Sequence, residues 1–211
     1  MMKFKSFILG LVMVSSVCTV HAQTATRKAA PAASQPKIIV GMMVDQMRWD
    51  YLYRFQNRYT EGGFKRLLRE GFSCENTLID YSPTITACGH TCVYTGSVPA
   101  VHGIVGNGWY ERSIGKEIGC VDHDCRRLIK KEKGGTGQSP HNNLATTITD
   151  QLRIASNFQS KTVGVAIKDR ASILPAGHAA TGASWHNGQD GNFVTSTYYL
   201  KELPESAKRF N

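Results

Sequence analysis

Thr86 stands in the run Pro83-Thr-Ile-Thr86-Ala-Cys-Gly-His90, where a hydroxyl is followed by small residues that leave room around it. Farther on, Val105-Gly-Asn107 makes a turn that carries a side-chain amide. Upstream, the apolar run of residues 38–44 ends in Asp45. A strand-end carboxylate and a hydroxyl at the start of a helix can hold a divalent metal against a nucleophile. Metal coordination is one of the few ways to make an alcohol nucleophilic near neutral pH. The helix start also offers unpaired backbone N–H groups and a positive dipole end to a phosphate or sulfate. A second charged group, Lys168-Asp-Arg170, follows another apolar run. Read from the residues alone, this pair is a solvated strand end. The chain therefore reads as the front part of a metal-dependent hydrolase.

The elements that must position these groups alternate in type. Residues 38–44 form a continuous apolar run, the mark of a strand buried on both faces of a parallel sheet, and Asp45 sits at its end, where open α/β sheets place ligands. Residues 62–71 predict a short helix, with Phe64, Leu67 and Leu68 at helical spacing and Gly71 as its stop. Residues 72–79 predict the next strand, and residues 86–94 a helix ended by Gly96 and Pro99. Residues 101–140 are irregular, rich in Gly and charge, and suit a hairpin. Residues 143–156 predict an amphipathic helix with Leu144, Ile148, Leu152 and Ala155 on one side. Residues 161–167 predict a second buried strand that delivers Lys168 and Arg170 at its end. Residues 193–199 read as a strand, and 203–211 as the start of a helix. The alternation argues for an α/β/α sandwich.

Composition narrows the setting. Residues 1–22 combine Lys3 and Lys5, an apolar run over 7–14 and Val20-His-Ala22, the pattern of a secretory signal peptide too short to span a bilayer. Residues 23–36 are Ala/Pro/polar and read as a flexible linker before a domain over 37–211. Without residues 1–22 the formal charge falls from +9 to +7. The basic residues are scattered and lack interleaved aromatics, which argues against nucleic acid. The densest cluster, around Lys130-Lys131-Glu132-Lys133, reads as a solvated loop. Export permits disulfides. Cys120-Val-Asp-His-Asp-Cys125 suits a small disulfide-closed loop, with free thiols the main alternative, since C-x4-C is not a zinc spacing. Cys88 and Cys92 share a helix face and read as small core residues.

Several blocks together carry a resemblance: Ile39-Val-Gly-Met-Met-Val-Asp45-Gln-Met-Arg, Pro83-Thr-Ile-Thr86-Ala-Cys-Gly-His90, Tyr94 through Asn107, Ile167-Lys168-Asp-Arg170, Ile173-Leu-Pro-Ala-Gly-His178 and Val194-Thr-Ser-Thr-Tyr-Tyr199. In this order they resemble the alkaline phosphatase superfamily, and within it the phosphate-irrepressible periplasmic monoesterases, near the nucleotide pyrophosphatase/phosphodiesterases. The resemblance implies an alkaline-phosphatase-like α/β/α sandwich with a mostly parallel central sheet, here apparently truncated. It implies Thr86 as a nucleophile that forms a phospho-threonine and ligates zinc, with Asp45 a ligand of the same ion. Asn107 would donate to a phosphoryl oxygen, and Lys168 and Arg170 would grip the dianion of a monoester. Two zinc ions are implied, with further ligands from a later part of the family's domain. His90, His102 and His178 then read as structural hydrogen-bonders, and Asp122-His123 as a chance imitation of the family's Asp-His pair. Small phosphate esters are the implied substrates, in a periplasmic or secreted protein without stable membrane association. The alternatives are a phosphodiesterase or sulfatase of the same superfamily, which Lys168, Arg170 and Thr86 disfavour, and a non-catalytic anion-binding module. With only Asp45 and Thr86 in place as ligands, the 211 residues alone are expected to lack turnover.

Overall fold

The computed structural model describes residues 36–128 and 133–211. The expected signal peptide, the linker up to residue 35 and residues 129–132 of the basic cluster lie outside the described residues. Residues 43–211 form one compact unit. In chain order it contains α1 (Tyr51–Arg54), a 3-10 turn (Gln56–Arg58), α2 (Gly63–Glu70), α3 (Thr86–Thr95) and α4 (Pro99–His102). Then follow β1 (Gly108–Glu111), β2 (Lys116–Gly119), β3 (Asp122–Leu128), β4 (Lys133–Gln138) and α5 (Ile148–Ala155). The last elements are β5 (Val163–Ala166), α6 (Asp169–Ala176), β6 (Gly182–His186), β7 (Phe193–Ser196) and α7 (Glu205–Phe210).

The main sheet has the order β4-β3-β7-β6-β5. The parallel pairing is β5 with β6, where Val163 faces Gly182 and Ala166 faces Trp185; the other neighbours run antiparallel. Between β5 and β6 the chain crosses over through α6, which packs on both strands and on α3. That crossover places α3 and α6, the two helices whose first turns carry the candidate chemistry, side by side. The core beneath them comprises Ala87, Ile104, Cys120, Val121, Ile173, Leu174, Ala176, Ala183, Trp185 and Val194. Ile104, Ile173, Leu174 and Val194 are fully buried, which makes this cluster the main hydrophobic contribution to the fold.

Close packing of α6 depends on Gly164 in β5. A Cβ there would come within 2.9 Å of the Ala176 methyl and would run into the Ser172 carbonyl. Helix α3 ends at Gly96, whose φ of 64° is the left-handed conformation that a helix stop uses, and its N–H donates to the Cys92 carbonyl.

Several expectations are corrected. Residues 38–44 are not a strand: they pair with no ladder partner among the described residues, and Ile38, Ile39, Val40 and Met42 are exposed. An apolar run becomes a buried strand only when neighbouring strands satisfy its backbone on both edges. Residues 72–79 are likewise coil and turn, with Phe72 and Leu78 exposed. The strand expected over 161–167 forms, but as the sheet edge, and α6 covers one face while Val163 and Val165 face outward. The helix expected from residue 143 begins at Ile148, and its supposed core side is solvent-facing: Leu144, Ile148 and Leu152 are exposed, and the buried residue is Asp150. The irregular 101–140 segment holds two hairpins, β1–β2 and β3–β4. Cys120 is a free thiol buried in the core rather than half of a disulfide with Cys125. Burial pushes that thiol up to about 12. Among the described residues, no helix is long and apolar enough to cross a membrane.

Candidate active site

Thr86 is the first residue of α3, only 7% exposed, and its hydroxyl donates to Asp45 Oδ2 at 2.9 Å. The preceding residue, Ile85, caps the helix without a side-chain acceptor, so the first N–H groups of α3 need partners from elsewhere. Asn107 provides one: Ala87 N–H donates to Asn107 Oδ1 at 3.0 Å. This bond fixes which way round the Asn107 amide lies, and its Nδ2 donors are left for an incoming oxygen. The Asn107 backbone is held in turn by Cys120 N–H, which donates to its carbonyl at 3.0 Å. Beneath the helix start, His90 Nδ1 lies 2.7 Å from the Thr86 carbonyl and donates to it, which adds a side-chain bond to the first turn.

The cationic side comes from α6. Lys168 occupies its N-cap, and Lys168 Nζ reaches to 3.8 Å from Asp45 Oδ2, the same oxygen that accepts the Thr86 hydroxyl. Arg170, one residue into α6, is 26% exposed; its Nη1 lies 3.3 Å from Asp169 Oδ1, which also accepts the Arg170 backbone N–H. Among the described residues, the buried Arg170 Nε has no hydrogen-bond partner. A buried guanidinium N–H without an acceptor is costly, and an anion bound at the mouth of α6 would satisfy it. The start of α3 and the Lys168 cap of α6 thus meet at one carboxylate, Asp45, and one hydroxyl, Thr86. Thr86, Asp45, Asn107 and Lys168 are brought together by direct contacts, and Arg170 stands two residues from Lys168 on the same helix turn.

Could these residues hold zinc? Asp45 and Thr86 present two oxygen donors side by side, and an aspartate oxygen suits the ion. Among the described residues no group of three or more His, Cys, Asp or Glu side chains forms a metal site. Two donors fall short of the three or four protein ligands that zinc uses. The described residues therefore do not fit a complete zinc site.

The three histidines singled out from the sequence make hydrogen bonds inside the protein. His102 Nδ1 accepts the Ile104 N–H, so its proton lies on Nε2 and points at Cys92 Sγ, 3.2 Å away. Burial holds His102 below its usual range. His178 Nδ1 lies 3.4 Å from Asp150 Oδ2. Asp150 also accepts Thr147 N–H at 3.0 Å and Ala179 N–H at 2.7 Å. Burial works against its charge, but the bonds from His178, Thr147 and Ala179 outweigh it and hold the carboxyl well below the usual range. That buried hub ties the start of α5 to the loop that leaves α6. Sequence reasoning missed it, although Thr147-Ile-Thr-Asp150 is a readable capping box. Also missed was the β6–β7 turn: Trp185, His186, Asn187 and Gly188 line one open cavity together with Lys168 and Arg170.

A family model for type I phosphodiesterase / nucleotide pyrophosphatase matches residues 39–205. The chain belongs to that family. It is 47% identical over its whole length to the alkaline phosphatase PhoV of Synechococcus elongatus, of which it spans 39%. Over 98% of its length it is 51% identical to the alkaline phosphatase PafA of Elizabethkingia meningoseptica, of which it spans 37%. A Myroides odoratus protein named a calcium-transporting ATPase is 56% identical over 87% of the chain. The crystal structure of wild-type PafA superposes with a TM-score of 0.79 at 53% identity, covering 86% of this chain and 35% of that one. A second solved structure is a PafA variant with a Thr→Ser change and an Asn, a Lys and an Arg each replaced by Ala; its TM-score is 0.80. The fold is therefore that of an alkaline-phosphatase-like α/β domain, and the chain spans less than two-fifths of the length of these relatives.

Proposed function

We propose that these residues form the nucleophile and phosphate grip of an alkaline phosphatase, a phosphoric monoester hydrolase that works through a phospho-threonine on Thr86. The observation that carries this reading is the shared oxygen: Asp45 Oδ2 accepts the hydroxyl of Thr86 at 2.9 Å and faces Lys168 Nζ at 3.8 Å. The PafA variant supports it. The substituted residue types there, Thr, Asn, Lys and Arg, occur in the same order as Thr86, Asn107, Lys168 and Arg170. The separations from Thr to Asn and from Lys to Arg are also the same.

In the proposed reaction Thr86 Oγ attacks phosphorus opposite the leaving oxygen. The new O–P bond forms as the ester O–P bond breaks, and the proton given up by the Thr86 hydroxyl ends on the leaving alkoxide. Water then attacks the phospho-threonine, and inorganic phosphate leaves. Asp45 orients the Thr86 oxygen before attack. Asn107 Nδ2, Lys168 and Arg170 hold the non-bridging oxygens, which is where phosphoryl transfer needs electrostatic support. Zinc, where bound, would lower the pKa of the attacking hydroxyl. Asp45 and Thr86 would serve it together with donors beyond those described, so the 211 residues alone are expected not to turn over.

The family name covers diesterases as well. Two cations at the start of α6, one of them with a buried unpartnered Nε, favour the dianion of a monoester over the single charge of a diester. A periplasmic or secreted location is part of the same proposal and rests on the character of residues 1–22. The test is p-nitrophenyl phosphate hydrolysis by a full-length enzyme that contains these residues. Thr86→Ala is expected to abolish turnover and Thr86→Ser to retain much of it. Wild-type rates in the alanine variant would assign the nucleophile elsewhere.

A further inference from the structure

In Lys168-Asp-Arg170 a carboxylate stands between the two cations, and a grip on phosphate does not account for it. An anion site gains from the field of its cations, and a carboxylate beside them subtracts from that field. Asp169 is the first residue of α6, where the positive end of the helix favours an acidic side chain. Position alone would make it a surface residue at a helix start. Its contacts give it a narrower task. Asp169 Oδ1 accepts two bonds from the next residue, the Arg170 backbone N–H at 2.7 Å and Arg170 Nη1 at 3.3 Å. One oxygen therefore ties the far end of the Arg170 side chain back to its own main chain, and both side chains are partly buried.

Which edge is tied matters. Nη1 lies on the Cδ side of the guanidinium plane, so Nε and Nη2 make up the opposite edge. That edge can donate two parallel bonds to a pair of phosphate oxygens. The tie to Asp169 leaves Nε untouched: it is buried and, among the described residues, has no hydrogen-bond partner. Had the carboxylate met Nε and Nη2 instead, the fork would already be occupied. Lys168 is held differently, since its Nζ faces Asp45 Oδ2 from another part of the chain at 3.8 Å.

Resting on the phosphomonoesterase reading, we propose that Asp169 is a positioning residue for Arg170, which holds Nη1 and keeps the Nε edge free for the oxygens of a bound monoester. The long, flexible Arg170 side chain then loses less freedom when phosphate arrives, because one end of its fork is already fixed. The rival account is charge alone. A carboxylate that merely offset Arg170 would weaken the grip, and its removal would speed turnover. Positioning has the opposite sign: removal slows turnover, and only while Arg170 is present.

The experiment is a double-mutant cycle in a full-length enzyme that contains these residues, with Asp169→Ala, Asp169→Asn, Arg170→Ala and the Asp169→Ala/Arg170→Ala pair. Rates are measured on p-nitrophenyl phosphate and its bis ester. Asp169→Ala is expected to lower kcat/KM for the monoester about tenfold, the scale of coupling between residues in contact. The diester should fall far less. Asp169→Asn keeps an oxygen acceptor in place and should stay within about twofold of the native enzyme. In the Arg170→Ala background Asp169→Ala should change the rate by no more than about twofold. Faster monoester turnover in Asp169→Asn or Asp169→Ala makes Asp169 an offsetting charge and overturns the proposal; the asparagine variant carries this sign test even if the alanine variant does not fold. A loss of the same size with and without Arg170, or on both ester classes, assigns Asp169 to the fold and overturns it as well. A loss in Arg170→Ala with none in Asp169→Ala overturns the positioning role and leaves the phosphate grip standing. Native monoester rates in Arg170→Ala overturn the grip itself, and the positioning role with it.

Discussion

Lys168 Nζ and Thr86 Oγ1 address the same oxygen of Asp45, one from 3.8 Å and the other from 2.9 Å, although 82 residues separate them in sequence. The convergence depends on the side-by-side packing of α3 and α6, because each side chain leaves the first turn or cap of its helix. Asp45 thus faces one cation and accepts one hydroxyl at a single oxygen.

The first prediction concerns that cationic side. Lys168→Ala or Arg170→Ala in a full-length enzyme is expected to lower kcat/KM for monoesters by about 10²–10³, the scale of one lost electrostatic stabiliser. Diester hydrolysis should fall far less, since a diester presents one negative charge fewer. Steady-state rates on p-nitrophenyl phosphate and its bis ester decide it. Equal losses on both would remove the dianion grip.

The second concerns the packing that brings the two helices together. Gly164→Val puts a branched side chain where a Cβ already meets Ala176 at 2.9 Å and collides with the Ser172 carbonyl. Overpacking of this kind costs about 1–3 kcal/mol, more when backbone must move. A lower urea midpoint for the chain, together with weaker phosphate binding, is the expected pair of results. Full stability in Gly164→Val would show that α6 is free to shift.

How far the sequence foretold this arrangement depended on what each pattern encodes. That Thr86 opens a helix and that Lys168 and Arg170 follow a strand was legible because each lies within a short local pattern whose spacing survives folding. The strands expected at 38–44 and 72–79 were not, since an apolar run reports a preference for burial and says nothing of whether an edge exists to pair with it. Residues 143–156 failed for another reason. Counting apolar positions turned Leu144, Ile148 and Leu152 inward, whereas the real anchor is a polar one, the Thr147–Asp150 capping box. The cavity beside Trp185 and Gly188 had no local signature because its two walls are far apart in sequence.

That anchor yields the third prediction. Asp150 is 2% exposed and accepts backbone N–H groups from Thr147 and Ala179 besides the contact with His178. Asp150→Ala leaves both N–H groups without an acceptor, at a cost of roughly 2–6 kcal/mol, one to three for each buried group. Urea denaturation followed by circular dichroism measures the loss. A change below about 0.5 kcal/mol, the scale of an inconsequential surface substitution, would show that other acceptors take over.

The last prediction is the pH dependence of the same contact. The hydrogen bond to Asp150 comes first among the causes that raise His178 above its ordinary value, outweighing burial. A group whose folded pKa is raised contributes stability that is fully present below its unfolded value, about 6.5 for histidine, and lost as pH rises through the folded value. His102 acts in the opposite sense, since burial lowers it and its neutral form is the folded one, so its contribution is lost as pH falls below about 6.5. The two histidines therefore partly cancel in the native chain. Subtraction separates them: the difference in urea midpoint between the native chain and His178→Gln should be largest near about pH 6 and shrink steadily toward about pH 9. Asp150, held low, adds a loss of its own only below about pH 4, outside that window. A difference that stays constant across the window would mean that His178 supports the loop after α6 through packing rather than through its charge on Asp150.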